Sequence, residues 1–430
     1  MNLTLLNRTQ ALGAVFAVTF IVGMITVVAP PSHAQIQHGG TPYSLENSVP
    51  GQAPVETMPP VDVQALRESD RANLQSDTPR PPRFGKALDV RLGLDNTGRW
   101  TNLTDGGRLW RLRISSQGAY SLNFIFDRFD LPPGAELYLY NQDQSTVLGA
   151  FTADNNKPYG RFSTLPIEGA VVTLEYYEPA GVAGDGKLRI SKVVHAYRNL
   201  FGGEADSDGQ GGTGFRDAAS CNNNVNCPEG DPWQDENGSV AMIINDNGTR
   251  ICSGSLVRDV PDEPEPYFLS AAHCADEDQS GGLSSVEQDA IQDWTFWFNY
   301  QSSTCSDPST EPGHDGVSGG IYRDSGFEAD FLLLELSDSP PVDYDTYYNG
   351  WTNSSSPPRS SPVVIHHPQS DIKKISFDDE KASSASPGYS NAASEAWEVE
   401  DWDDGTTEPG SSGSPLYNPD NRVIGMRIRG

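Results

Sequence analysis

Three side chains in the C-terminal half have the types and settings for acyl transfer. His273 ends the apolar stretch "YFLSAAH" and precedes Cys274. Asp330 stands directly ahead of "FLLLEL", a carboxylate set against an apolar strand. Ser412 lies in "PGSSGSP". A serine that attacks a carbonyl needs a base to take its proton, and the base needs a carboxylate that fixes its tautomer. The oxyanion that forms needs backbone N–H donors aimed at it. Glycine beside the serine lets the chain bend sharply enough to aim them, which makes Gly410 and Ser412 the candidate donors. Each piece alone has an ordinary reading. A Gly-Ser run is a turn, a strand-end histidine packs, and a carboxylate at a strand start caps it. Together, in the order His, Asp, Ser, they describe an acyl-transfer triad.

The remaining histidines and acids suggest no metal. His366 and His367 are adjacent in "IHHP", and neighbouring strand residues point to opposite faces, so they read as structural or near-site. His314 in "PGHDG" reads as a loop residue, and His195 as a surface or packing residue. The acidic run "ADEDQSGG" at 275–282 lacks the spacing of a calcium loop. No cofactor is implied.

Elements must position these groups, and the composition is consistent with two folded units. The chain has 430 residues and a net charge of −30. Residues 1–216 hold 21 acidic and 19 basic side chains, against 38 and 10 in residues 217–430. So acidic a half repels nucleic acid and anionic membranes and attracts cationic ligands, or simply keeps the protein soluble. Arg8, the apolar run from Ala11 to Ala29, and Ser32-His33-Ala34 describe a signal peptide over 1–34; the run is also long enough to stay as an anchor. Either way the rest is secreted or periplasmic. Residues 35–83, rich in Pro, Gln, Ser and Asp, read as a disordered or extended linker.

From 84 to 200, short segments such as "SLNFIFDRF" and "VVTLEYYEP" recur between turn residues, the pattern of a β-sandwich. Residues 201–216 are a second, Gly- and Asp-rich linker, and its only basic residue, Arg216, marks a processing site. From 217 to 430 the pattern is again all-β, suited to a pair of barrels or a large sandwich. The five cysteines, 221, 227, 252, 274 and 305, all lie in this part. In an exported protein they read as disulfides, and an odd number leaves one without an internal partner.

"FLSAAHC" resembles the histidine motif of trypsin-like serine proteases, and "EPGSSGSPLY" resembles their serine motif. The lysyl endopeptidase branch is the nearer likeness. "CNNNVNCPEGD", "CSGSLV", "FWFNYQSSTC", "ADFLLLEL", "IHHP" and "TEPGSSGSPLYNP" follow that branch in its order. The likeness covers about 217–430, and the preceding sandwich resembles the pro-region of such precursors. It implies a two-barrel domain, with His273 and Asp330 on the first barrel and Ser412 on the second. It implies His273 as base and then acid, Asp330 as its orienter and Ser412 as nucleophile. It also implies Cys252–Cys274 and Cys227–Cys305 disulfides and an unpaired Cys221. Ser411 stands where trypsin-type enzymes carry an aspartate, as it does throughout the branch, which assigns any latency to the pro-region.

The family pattern runs on past Gly430 with a pocket wall, its lysine-selecting acid and a cysteine partner for Cys221, so the protease domain reads as incomplete. Arg427 and Arg429 fall where the family has uncharged pocket residues. The implied activity is that of a monomeric serine endopeptidase precursor cutting polypeptides after Lys or another basic residue. The alternative is a catalytically degenerate protease fold used for binding or adhesion.

Overall fold

Period-two burial builds the molecule. In Phe331–Leu336 the side chains of Leu332, Leu334 and Leu336 are buried, while Phe331, Leu333 and Glu335 are half-buried. One face of the strand therefore lines a core. The computed structural model describes residues 37–74, 83–199, 215–259, 265–353, 361–385 and 396–428. The signal-peptide reading of 1–34 and most of the second linker lie outside them, as does Arg429.

The fold is all-β. The N-terminal part pairs a sheet ordered Val55–Thr57, Arg108–Ser115, Val171–Glu178, Glu136–Asn141, Val147–Phe151 with a second ordered Gly85–Gly93, Lys187–Ala196, Ser121–Asp130, Phe162–Ser163. Trp110, Phe124, Phe126, Phe129, Phe151, Phe162 and Tyr176 are almost wholly buried between them. Phe162 stacks on Phe129 at 4.4 Å between ring centroids and meets Phe151 edge-on at 4.9 Å.

The segment expected as an extended linker differs from that reading. Val55–Thr57 adds a parallel strand beside Arg108–Ser115, and Val63–Leu74 is a helix. Asp70 on that helix accepts from Arg83 Nε at 2.8 Å and Tyr197 Oη at 2.6 Å. A polar composition hid these anchors, because they are hydrogen bonds and ion pairs rather than an apolar stripe.

The C-terminal part has two sheets. The first runs Asp315–Ser318, Thr295–Phe298, Val240–Ile244, Arg250–Leu256, Tyr267–Ala271, Phe331–Leu336, Gly320–Gly326. The second runs Asn223–Asn224, Lys374–Phe377, Val363–His366, Pro415–Tyr417, Val423–Met426. Two disulfides form, Cys227–Cys305 and Cys252–Cys274, and Cys221 is free and exposed.

The sandwich and the first of these sheets share a core. Phe84 is fully buried among Val194, Met242, Ile244, Trp297, Tyr300 and Ile372. The backbone N–H groups of Phe84 and Gly85 both donate to Gly248 O, at 2.9 and 2.8 Å. Charge complementarity adds to this, with the sandwich supplying the cations in Lys157–Asp338, Arg161–Asp293 and Lys192–Asp246.

Two predictions follow from this packing. Phe84→Ala removes a large side chain from a site with little room to collapse and should cost about 3–5 kcal/mol in denaturant unfolding of the whole chain. Lys373 is fully buried, with Nζ donating to Asn237 O at 2.8 Å, and burial lowers its pKa to about 7 from 10.5. Between those values the unfolded chain binds the extra proton, so stability should rise with pH, by at most about 1.4 kcal/mol per unit. Urea unfolding from pH 6 to 9 should show this rise, and Lys373→Met should flatten it.

Candidate active site

His273 and Asp330 come together because their strands pair. Tyr267–Ala271 lies antiparallel to Phe331–Leu336, with Ala271 opposite Phe331. One strand ends where the other begins, so the residues just beyond this pair meet. Asp330 holds φ +53°, a left-handed conformation that aspartate tolerates better than most residues. The turn lets Asp330 O accept from Ala272 N at 2.8 Å. Its carboxylate takes the backbone N–H of His273 at 2.8 Å through Oδ1, and Oδ2 lies 2.6 Å from His273 Nδ1. The Asp330 side chain is 8% exposed and that of His273 37%. A nearly buried carboxylate thus orients a ring that is itself partly exposed, with Nε2 4.0 Å from Cys274 Sγ.

Ser412 reaches this pair through Ser253, which is fully buried between Cys252 and Gly254. Ser253 N–H donates to Ser412 O at 2.9 Å, and Ser253 Oγ–H donates to Gly410 O at 2.9 Å. The same Oγ accepts from His367 N–H at 2.9 Å, and Ser253 O accepts from Ser270 Oγ at 2.8 Å. Ser270 lies on the strand that leads to His273. The Cys252–Cys274 disulfide spans the same junction. Gly413, at φ +80°, fits where a Cβ would sit 2.9 Å from Ala271 N. The serine loop is therefore seated on the backbone that leads into His273.

The loop's amides divide in two. Ser411 N donates to Glu408 O, Gly413 N to Arg427 O and Ser414 N to Ser411 O. Gly410 N and Ser412 N have no acceptor among the described residues. Gly410 takes φ +95°, and a Cβ there would meet His367 O at 2.8 Å, so only glycine fits. Ser412 Oγ likewise has no hydrogen-bonded partner among the described residues. Such bonds are often long before substrate binds.

The structure distributes the other singled-out residues as follows. His366 and His367 are both fully buried and take different partners. His314 is more than a loop residue, since its ring stacks on Trp297 at 3.7 Å. His195 is a packing residue, buried against Ser116 Oγ at 2.7 Å. Asp276, Asp278 and Glu287 bring ligand atoms within 4.8 Å of one another, a cluster the sequence reading missed. Their oxygens accept loop amides, among them Ser280 N, Gly281 N and Ser284 N. Beyond Arg216, Asp371 accepts from Arg216 N and Ala218 N at 2.9 and 3.2 Å. The role of Ser253 was also missed; its one outward signal is a serine inside an apolar strand beside a cysteine.

The sandwich contacts the C-terminal part at some distance from the His273–Asp330 pair. Its hydrogen bonds and ion pairs to the C-terminal part reach Asp246, Gly248, Asp293, Ser318, Ser337 and Asp338. Among the described residues, none of these bonds involves His273, Asp330 or Ser412. Ser337 follows the far end of the strand that Asp330 precedes, roughly 20 Å away at about 3.3 Å per residue.

A family model described as "Lysyl endopeptidase, C-terminal domain" matches residues 215–430, half of the chain. The chain belongs to the lysyl endopeptidase family. The model of the family's N-terminal domain matches residues 56–197. A lysyl endopeptidase of Pseudomonas aeruginosa is 29% identical over 366 residues, covering 79% of this chain and 73% of that protein. Membership makes the chain a peptidase by kinship, acting on polypeptides. Among solved structures, the MamO protease domain of Magnetospirillum magneticum aligns at 10% identity and TM-score 0.32, over 46% of this chain and 87% of its own. The Rv3671c protease of M. tuberculosis, as its Ser343Ala mutant, aligns at 15% and 0.29, over 45% and 75%. Scores this low add nothing to the family assignment.

Ser253→Ala should leave His367 N–H and Gly410 O buried without their partner, at about 1–3 kcal/mol for each group. Urea unfolding of the variant beside the unmutated chain would measure this.

Proposed function

We propose that the protein is an exported serine endopeptidase precursor working through an acyl-enzyme. His273 Nε2 takes the proton of Ser412 Oγ, which attacks the scissile carbonyl. Asp330 holds the Nδ1–H tautomer and stabilises the imidazolium that forms. The N–H groups of Gly410 and Ser412 receive the oxyanion. His273 then returns the proton to the leaving amine, and water repeats the sequence on the ester. The observation that carries this is the 2.6 Å His273–Asp330 contact beside a serine loop whose amides at 410 and 412 are the ones left open.

Cleavage after Lys or another basic residue is supported by the family and by the acidic C-terminal half, which draws in cationic substrates. Arg216, exposed and at φ +70°, would be the point at which the sandwich is released. The protein would act as a monomer, outside the membrane. The degenerate, non-catalytic alternative predicts no role for Ser412.

Ser412→Ala should lower kcat/KM toward a lysyl ester by roughly a millionfold. Asp330→Asn should lower it by about four orders of magnitude through the wrong tautomer. Activity in Ser412→Ala equal to that of the unmutated chain would refute the mechanism.

A further inference from the structure

Behind the serine loop lies a second histidine–serine pair that the proposed chemistry does not use. His366 Nδ1 is 2.7 Å from Ser411 Oγ, and its Nε2 is 3.2 Å from Ser376 Oγ. The flanking bonds decide the direction of each. Ser376 Oγ–H donates to Thr406 O at 2.9 Å. A hydroxyl has one proton, so toward His366 that oxygen can only accept, and Nε2 must carry the ring's hydrogen. Nδ1 is then an acceptor. Ser411 Oγ–H donates to it, while Ser411 Oγ accepts from Glu408 N–H at 3.1 Å.

Four donors therefore point one way: Glu408 N–H, Ser411 O–H, His366 Nε2–H and Ser376 O–H, ending on Thr406 O. The chain begins and ends on the segment that enters the serine loop, so it closes around that segment. Burial, with Arg427, His367 and Lys374 as the charged or chargeable neighbours, keeps the ring well below the usual histidine pKa and neutral. A neutral ring is what the chain of donors requires, because an imidazolium could not accept from Ser411.

From this geometry we infer that His366 is a positioning residue for peptide hydrolysis. It fixes the Ser411 side chain, and with it the backbone that presents the N–H groups of Gly410 and Ser412. The other bonds of Ser411 among the described residues stay within residues 408–414: Ser411 N to Glu408 O, Glu408 N to Ser411 Oγ, and Ser414 N and Oγ to Ser411 O. The side-chain bond to His366 is what ties this turn to the neighbouring Val363–His366 strand. His366 touches neither substrate nor the reacting atoms, and the inference rests on the triad reading above.

The test uses the full chain in two measurements. Histidine 15N NMR at pH 7 should show His366 as the Nε2–H tautomer, with its Nδ1 signal displaced in Ser411→Ala. Steady-state kinetics on a lysyl ester should show Ser411→Ala losing about ten- to a hundredfold in kcat with KM nearly unchanged. Ser411→Thr, which keeps the hydroxyl, should recover most of the loss. Adding His366→Asn to Ser411→Ala should cost little more, since the two act as a unit. A Nδ1–H or doubly protonated His366, or full kcat in Ser411→Ala while Ser412→Ala is inactive, overturns the inference. If Ser412→Ala is as active as the unmutated chain, the triad reading falls, and the tautomer with its response to Ser411→Ala decides this one alone.

Discussion

One buried serine joins the parts of the site. Ser253 uses its N–H, its carbonyl and both roles of its hydroxyl to hold Ser412, Ser270, Gly410 and His367. Ser253 and Ser270 lie on the first C-terminal sheet and His367, Gly410 and Ser412 flank strands of the second, so these bonds join two sheets that also pack together where Val240 and Leu269 meet Val363, Ile365 and Tyr417. Apolar packing can press two sheets together, but it is non-directional and does not set the angle of a loop. Directional bonds in a dry environment can, and each is costly to leave unmade. The relation between the histidine-bearing strand and the serine loop is set at this point.

The rest of the site follows from that constraint. With Pro409 O taken by Gln369 N–H and Ser411 O by Ser414 N–H and Oγ–H, the two peptide planes that carry the N–H groups of 410 and 412 are held, and those groups stay available. With Ser270 tied to Ser253, the strand end that carries His273 is fixed next to the Cys252–Cys274 bridge. Asp330 completes the arrangement by taking both the backbone and the ring of His273. An orienting group that also grips the backbone restrains ring position and ring rotation together.

Much of this was legible in the sequence. His273, Asp330 and Ser412 stand out because polar groups at the edges of apolar strands are conspicuous, and the sheets show in short β-rich segments between turns. Both disulfides appear as the family likeness implied. What was not legible shares one physical character. The partners of Ser253, the His366 chain and the Asp70 anchor of the N-terminal helix are hydrogen bonds between residues distant in sequence, and hydrogen-bond pairing leaves no periodicity. The position of the sandwich was also hidden, since charge pairs such as Lys157–Asp338 show only once both surfaces are folded.

The strand Phe331–Leu336 has the candidate catalytic carboxylate before one end and a sandwich contact beyond the other. A hydrogen-bonded strand in the middle of a sheet is stiff along its length. It works as a strut, through which the sandwich contact at Ser337 can brace the candidate site at Asp330 from a distance.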